Sequence, residues 1–230
     1  AGFEGNRPVI EIPIGRNISE RKLMRSWEAT HEMVHLAFPM VEREDKWLKE
    51  GMATYIEPIA RMQVNDLSAS KVWGDLFDSL PDGLLENDSG LKNASSIDRI
   101  YWGGALYCLV ADLEIRRRTN NQRGLQDALA AIPAAGGNFE SEWSTLECLR
   151  VADKAVGVKV LEPLYLEMHN KPLRVNLPYY WKQLGVRRVG DQIVFDDSAP
   201  LASVRLAINK GGSGRGSTNA SGAGKLESGI

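Results

Sequence analysis

The sequence lacks a long apolar run, a set of paired cysteines and an excess of basic charge, and each absence excludes a class of protein. Its longest strongly apolar stretch, residues 105–111, is far shorter than the roughly 20 residues that a membrane-spanning helix needs, so we expect no membrane span. Its only thiols, Cys108 and Cys148, lie in separate segments without the spacing of metal ligands, which argues against a disulfide framework. Because 28 basic side chains are balanced by 30 acidic ones, we expect no nucleic-acid partner.

What is present is an ordinary globular composition. The 230 residues are 43% hydrophobic and 25% charged, which suits a protein with one substantial core. Residues 211–230 differ, because their Gly/Ser-rich composition cannot bury enough apolar surface to fold. We therefore predict a folded body and a flexible tail. The compartment stays open, with an exported or periplasmic location slightly favoured over a cytoplasmic one, and the oligomeric state is unknown.

Two neighbouring helices are predicted in the first part of the chain. Apolar residues recur at helical spacing from 19 to 38, and Pro39 ends the pattern. After a polar turn at residues 42–45, a second helix is predicted at about 46–62, with room for a kink at Pro58. Because the link between them is short, we expect the two helices to pack against each other.

The remainder of the chain is predicted to be mainly helical. Before the helix pair, residues 8–14 (PVIEIPI) alternate as in an edge strand. The apolar run within residues 97–119 predicts a buried central helix, and its arginine-rich end suits the helix dipole. The turn-forming PDG and NDSG sequences predict a surface excursion before it. Other predicted elements are helices at 70–80, 125–132, 142–156, 160–168 and 177–184 and a hairpin at 187–195 around Gly190.

Residues 31–35, HEMVH, form an HExxH motif inside the first predicted helix. Residues four apart lie on one helix face, so the imidazoles of His31 and His35 can reach one cation, and zinc suits that geometry. Glu32 lies one step round the helix, where it can take a proton from metal-bound water without being a ligand. The motif therefore predicts a zinc site with Glu32 as the general base.

Glu50 is the candidate for a third protein ligand. It follows His35 after 14 intervening residues and lies on the helix that should pack against the first. A carboxylate from that helix completes a set of two histidines and one glutamate with a fourth position open to water, which indicates catalysis rather than a structural site. His169 has no partner motif and is predicted to be structural.

These residues resemble a known family. HEMVH followed by WLKEGMATYIE is similar to the paired HExxH and WLxEGxAxY motifs of gluzincin aminopeptidases, and YWGGALYCLVADLEIRRRTNNQRGLQDAL resembles a stretch of the glycyl aminopeptidase family. The resemblance runs from about residue 1 to residue 209. It implies a zinc peptidase with His31, His35 and Glu50 as zinc ligands, Glu32 as the base and Tyr101 as the phenol that stabilises the oxyanion.

The resemblance also implies a fold and a kind of substrate. The expected fold is α+β and mainly helical, a thermolysin-like zincin catalytic domain with an N-terminal edge strand and a C-terminal helical bundle. Residues 1–62 would hold the strand and the zinc-binding helix pair, residues 63–210 the helical remainder of the same domain, and residues 211–230 the tail. AGFEG is similar to the strand with which related aminopeptidases grip the free amine of a peptide, and this implies that role for Glu4. The preferred interpretation is an aminopeptidase acting on peptides with small N-terminal residues.

Other interpretations stay open. Without a firm anchor for the amine, the cleft would accept internal peptide segments, as in an endopeptidase. A catalytically idle peptide-binding module is a further alternative, although the intact Glu32 argues against it. Thr54 carries a hydroxyl, one turn after Glu50, where many related enzymes place a carboxylate that orients a ligand histidine. We therefore expect the hydrogen bonds that support the ligand histidines to be weaker here or to be built in another way.

Overall fold

The computed structural model of the protein describes residues 1–5, 7–24, 26–84 and 89–211, and most of them lie in helices. The helices are α1 (Glu20–Met24), α2 (Glu28–Leu36), α3 (Lys46–Gln63), α4 (Ala69–Ser79), α5 (Ile97–Arg118), α6 (Leu125–Ala134), α7 (Thr145–Val156), α8 (Leu161–Asn170), α9 (Leu177–Leu184) and α10 (Ala202–Lys210). Short 3₁₀ helices lie at Arg43–Asp45, Leu80–Leu84 and Leu91–Asn93. The antiparallel strand pairs are β1 (Gly2–Glu4) with β2 (Arg7–Val9) and β3 (Val186–Val189) with β4 (Gln192–Phe195). The predicted α+β, mainly helical class is confirmed.

The crossing of α3 and α5 forms the centre of the molecule. Their backbones touch where Gly51 meets Gly104, since a Cβ atom at Gly51 would lie 2.2 Å from the Gly104 backbone. Neither position has room for a side chain, which is why both are glycine. Fully buried side chains surround the crossing, among them Trp47, Leu48, Tyr55, Leu106 and Tyr107. The contact holds Glu50, on α3, and Tyr101, on α5, at one fixed separation.

The single helix predicted over residues 19–38 is wrong, because α1 ends at Met24 and α2 begins at Glu28. Near the end of α1 the Ser26 N–H donates to the Leu23 carbonyl at 3.1 Å, a tight turn that closes a helix rather than extending it. The Trp27 ring then packs edge-on against His31, with ring centroids 5.1 Å apart. Helical spacing of the apolar residues continues across this break, so periodicity alone did not reveal it.

The edge strand predicted at residues 8–14 is wrong in extent. Strand β2 ends at Val9, and its partner is β1, with Gly2 opposite Val9 and Glu4 opposite Arg7. Strand β1 is only three residues long (Gly2–Glu4), so the chain beyond Val9 has no strand to pair with in this sheet. A strand without hydrogen bonds to a neighbouring strand does not persist. The first residues therefore form a short hairpin rather than one longer edge strand.

The surface excursion predicted around PDG is wrong. Leu80–Leu84 form a 3₁₀ helix in which Leu80 and Gly83 are buried against α5.

Most of the other predicted helices and the hairpin are confirmed. Helix α3 runs without interruption through Pro58, and α5 is the buried central helix. Left-handed glycines end α7 and α9, at Gly157 with φ 75° and Gly185 with φ 66°. Gly190 turns the predicted hairpin with φ 59°.

Helix α10 was not predicted. It packs on α3 and α4, where the Gln63 side chain donates to the Ile208 carbonyl at 2.9 Å and Trp73 Nε1 donates to Asn209 Oδ1 at 2.7 Å. Residues 87 and 88 of the predicted turn run and residues 212–230 of the predicted tail lie outside the described residues. Within the described part of the chain, no helix is both long enough and apolar enough to cross a membrane.

Candidate metal centre

Helix α2 carries both histidines of the HExxH motif to the face that packs against α3. His31 and His35 are buried, and their ring centroids lie 4.9 Å apart with the planes nearly perpendicular. This arrangement follows from the helix itself, because residues four apart are stacked one turn above each other. Burying two imidazoles on one helix face costs free energy unless their nitrogens contact a polar partner.

The shared partner is Glu50, which lies on the first turns of α3. Its Oε2 atom is 3.3 Å from His31 Nε2 and 3.3 Å from His35 Nε2. Two ligands of a tetrahedral zinc ion, each bonded at about 2.0–2.1 Å, lie roughly 3.3–3.4 Å from each other. The spacing of the two nitrogens around one carboxylate oxygen therefore fits the edge of a zinc coordination sphere.

The charge state of Glu50 suits a ligand. Burial raises its pKa, but hydrogen bonds and electrostatic attraction from His31 and His35 outweigh burial and hold the pKa well below its usual range. The carboxylate therefore stays ionised, as metal binding requires. Thr54 donates its hydroxyl to the Glu50 carbonyl at 2.8 Å, so this hydroxyl is used within α3.

Glu32 lies beside the histidines and is more exposed than they are. Ligand atoms of His31, Glu32 and His35 all lie within 4.8 Å of one another, so this group could hold a metal ion. Ala1, which precedes β1, contacts Glu32 Oε2. A carboxylate so close to the histidines, but still partly accessible, can accept a proton from a neighbouring water.

Tyr101 comes to the same place from α5. Its ring stacks on His31 with centroids 5.9 Å apart and the planes inclined by 12°. Burial, the Glu50 charge and hydrogen bond and the Glu32 charge raise the pKa of Tyr101 to about 12. The phenol therefore keeps its proton and can donate it in a hydrogen bond.

The predicted amine-binding residue, Glu4, is exposed at the end of β1, opposite Arg7 in the hairpin. Its role stays a prediction. The structure thus brings together His31, Glu32, His35, Glu50 and Tyr101.

Two further residues at the centre escaped the sequence analysis. Trp27 packs edge-on against His31, and Glu57 is buried two turns after Glu50 on α3. Burial raises the pKa of Glu57, although its ion pair with Arg61 and the His31 charge lower it. The seven-residue spacing from Glu50 to Glu57 could have indicated that Glu57 lies near the centre, because positions seven apart share a helix face.

A cavity of about 640 Å³ opens beside His31 and Tyr101. Its wall also includes Trp27 and Glu57, so the residues that sequence analysis missed are those that shape the space next to the centre. Its volume falls within the range of about 300–1,000 Å³ that small-ligand sites occupy.

His35 Nδ1 is buried with no hydrogen-bond partner among the described residues. A histidine that binds a metal through Nε2 usually donates its Nδ1 proton to a carboxylate or carbonyl. Of the two alternatives expected from the sequence, weaker support of the histidines fits this nitrogen of His35. The donor set fits zinc, and its supporting hydrogen bonds are incomplete at His35.

His169 belongs to a second cluster, which we call the Asp45 cluster (Asp45, Thr145, Tyr165 and His169). Asp45 accepts hydrogen bonds from the hydroxyls of Thr145 at 2.6 Å and Tyr165 at 2.9 Å. His169 Nδ1 lies 3.1 Å from Asp45 Oδ1 but has no hydrogen-bond partner among the described residues. The cluster ties the α2–α3 link to α7 and α8, which fits the structural role predicted for His169.

Comparison with known proteins gives no relative: no family model, no curated protein and no solved structure matches the chain.

Proposed function

We propose that the protein is a zinc-dependent peptidase, with His31, His35 and Glu50 as the zinc ligands. The observation that carries the proposal is the approach of both histidine Nε2 atoms to 3.3 Å from one Glu50 oxygen. A thermolysin-like catalytic domain, as in the glycyl aminopeptidase family, belongs to the same proposal, and the packing of α2 on α3 supports it.

The residues of the chain divide the work of peptide hydrolysis. Zinc, when bound, supplies a Lewis acid that polarises the carbonyl group and lowers the pKa of water from 15.7 to about 7. Glu32 accepts the proton of the attacking water and then delivers it to the leaving amine. The Tyr101 hydroxyl donates a hydrogen bond to the oxygen of the carbonyl as negative charge develops there, and a donor of this kind typically contributes about 10² to 10³ in rate.

Within this class, we propose an aminopeptidase. This choice rests on the resemblance of the AGFEG segment, which implies that Glu4 binds the amine of the peptide. The alternative is an endopeptidase, and the exposure of Glu4 favours it, because an exposed carboxylate attracts an amine only weakly.

Zinc loading tests the metal site. The purified chain should hold about one zinc ion per molecule after loading and removal of excess metal. Elemental analysis measures this ratio. A ratio far below one that does not change in His35→Ala would contradict the proposal.

Free and N-acetylated versions of the same peptides then separate the two kinds of peptidase. We expect the free amine to be favoured at least tenfold in kcat/KM, about 1.4 kcal/mol, with Glu4→Ala removing the preference. Equal rates on both peptides would favour the endopeptidase. A preference that survives Glu4→Ala would assign the amine to another carboxylate.

A further inference from the structure

The cavity beside the metal centre has a mainly apolar wall. It contains His31 and Tyr101, so it adjoins the place where the proposed function puts the scissile bond. The apolar part of its wall consists of Trp27, Pro58, Leu67, Leu76, Ile97 and Trp102. Aromatic and aliphatic walls of this kind select ligands by burying apolar surface.

The charged residues in the wall are matched in opposite pairs. Arg61 contacts Glu57 at 2.8 Å, and Lys71 contacts Asp75 at 2.7 Å. An ionised substrate group entering the cavity would lose its hydration and find no net opposite charge to replace it. The wall therefore disfavours acidic and basic side chains alike.

The size of the cavity argues against a small substrate residue. A glycine or alanine would leave most of the roughly 640 Å³ unfilled, and unfilled apolar surface contributes no binding. A phenylalanine, tryptophan or leucine side chain would fill far more of it and bury its own surface.

We propose that this cavity is the specificity pocket of the enzyme and that it selects a large, uncharged apolar side chain next to the cleaved bond. The inference rests on the proposed peptidase function. It replaces the preference for small N-terminal residues that the family resemblance implies.

Ile97 offers a way to test the pocket without disturbing the core. It is the first residue of α5, and 74% of it is exposed, so it lies at the rim of the cavity. Ile97→Trp would place an indole across the rim. Val64, which is 73% exposed and is not part of the cavity wall, gives the matched control Val64→Trp.

The first measurement is hydrolysis of two tripeptide series, Xaa-Ala-Ala and Ala-Xaa-Ala, with Xaa as Gly, Ala, Leu, Phe, Asp or Lys. One methylene in an apolar pocket changes kcat/KM roughly 10- to 200-fold, so in one series Phe or Leu should exceed Gly by about 100-fold or more. Ile97→Trp should reduce the Phe-to-Ala ratio at least tenfold, while Val64→Trp leaves that ratio unchanged. If kcat/KM for the Gly or Ala peptides equalled or exceeded that for the Phe and Leu peptides in both series, the assignment of the pocket would be overturned.

The second measurement does not depend on catalysis. Calorimetry on Glu32→Gln should show Phe-bearing peptides binding at least tenfold more tightly than their Gly counterparts, and Ile97→Trp should remove that difference. If no peptide is hydrolysed, the proposed function fails and this binding result alone decides the inference. Equal affinities, or a Phe preference that Ile97→Trp and Val64→Trp affect alike, would overturn it.

Discussion

The candidate metal centre and the Asp45 cluster each contain a buried histidine, a carboxylate and a tyrosine. They differ in the groups that surround the carboxylate. Asp45 already accepts two hydroxyl hydrogen bonds and lies beside His169. Glu50 instead has two imidazole nitrogens, both 3.3 Å from its Oε2 atom. An Nδ1 atom without a hydrogen-bond partner among the described residues occurs in both clusters, at His35 and at His169. Hydroxyl donors around a buried carboxylate stabilise the fold, whereas two imidazoles around one carboxylate oxygen match the donor set of a metal site.

The largest expected difference between the two clusters concerns their histidines. His35→Ala should lower the zinc content from about one per molecule to near zero and abolish hydrolysis, because two protein ligands rarely hold zinc. His169→Ala should keep zinc and turnover and lower the free energy of unfolding by about 1–3 kcal/mol. Elemental analysis and urea unfolding measure both effects, and zinc loss in His169→Ala would erase the distinction.

The glutamates beside each histidine sharpen the comparison. Glu32→Gln should keep zinc and fold but lower kcat/KM by about 10² to 10⁴, because an amide cannot accept the proton. Glu44→Gln, at an exposed carboxylate 3.7 Å from His169 Nε2, is the control and should leave kinetics unchanged. A Glu32→Gln enzyme that kept a tenth or more of wild-type turnover would make the base assignment wrong.

Each cluster also contains a tyrosine next to its histidine. Tyr101→Phe should lower kcat by about 10² to 10³ with little change in KM, because the phenol is needed when charge develops on the carbonyl oxygen. Tyr165→Phe should leave kcat unchanged and cost about 1–3 kcal/mol of stability, since Asp45 loses a hydrogen bond. Steady-state kinetics measures the effect on kcat, and urea unfolding measures the effect on stability. An unchanged kcat in Tyr101→Phe would show that Tyr101 contributes to packing rather than to catalysis.

The smallest expected effect concerns Glu42, which accepts hydrogen bonds from the Thr145 backbone and hydroxyl. Burial raises its pKa, but its own backbone and these Thr145 bonds lower it below the usual value of 4.5. A carboxyl whose folded pKa is lower adds stability above about pH 4.5, and this stability is lost on acidification.

Glu42→Gln should therefore lose less Tm than wild type between pH 5 and about pH 3. Glu140→Gln, at an exposed carboxylate, should follow the wild-type curve. Identical curves for Glu42→Gln and wild type would show that the Thr145 contacts do not stabilise the ionised form.

How much the sequence predicts depends on how local the signal is. His31, Glu32 and His35 lie within five residues of one helix, so their approach follows from helix geometry. Glu50 was also predictable, because it lies on the next helix and the link is short.

The remaining features depend on long-range packing, which one sequence does not encode in a readable pattern. The cavity brings Trp27, Glu57 and Trp102 together from three different helices or their ends. The break before α2 is hidden by an apolar repeat that continues across it, and α10 is short enough to depend on its contacts with α3 and α4.

The contact between Gly51 and Gly104 also decides which parts of the centre can move. Two backbones in direct contact cannot slide past each other without a steric clash, so we expect α3 and α5 to move together. Glu50 lies on α3 and Tyr101 on α5, whereas His31 and His35 lie on a separate helix, α2. We therefore expect local opening of α2 to separate the histidines from Glu50 and to speed metal exchange.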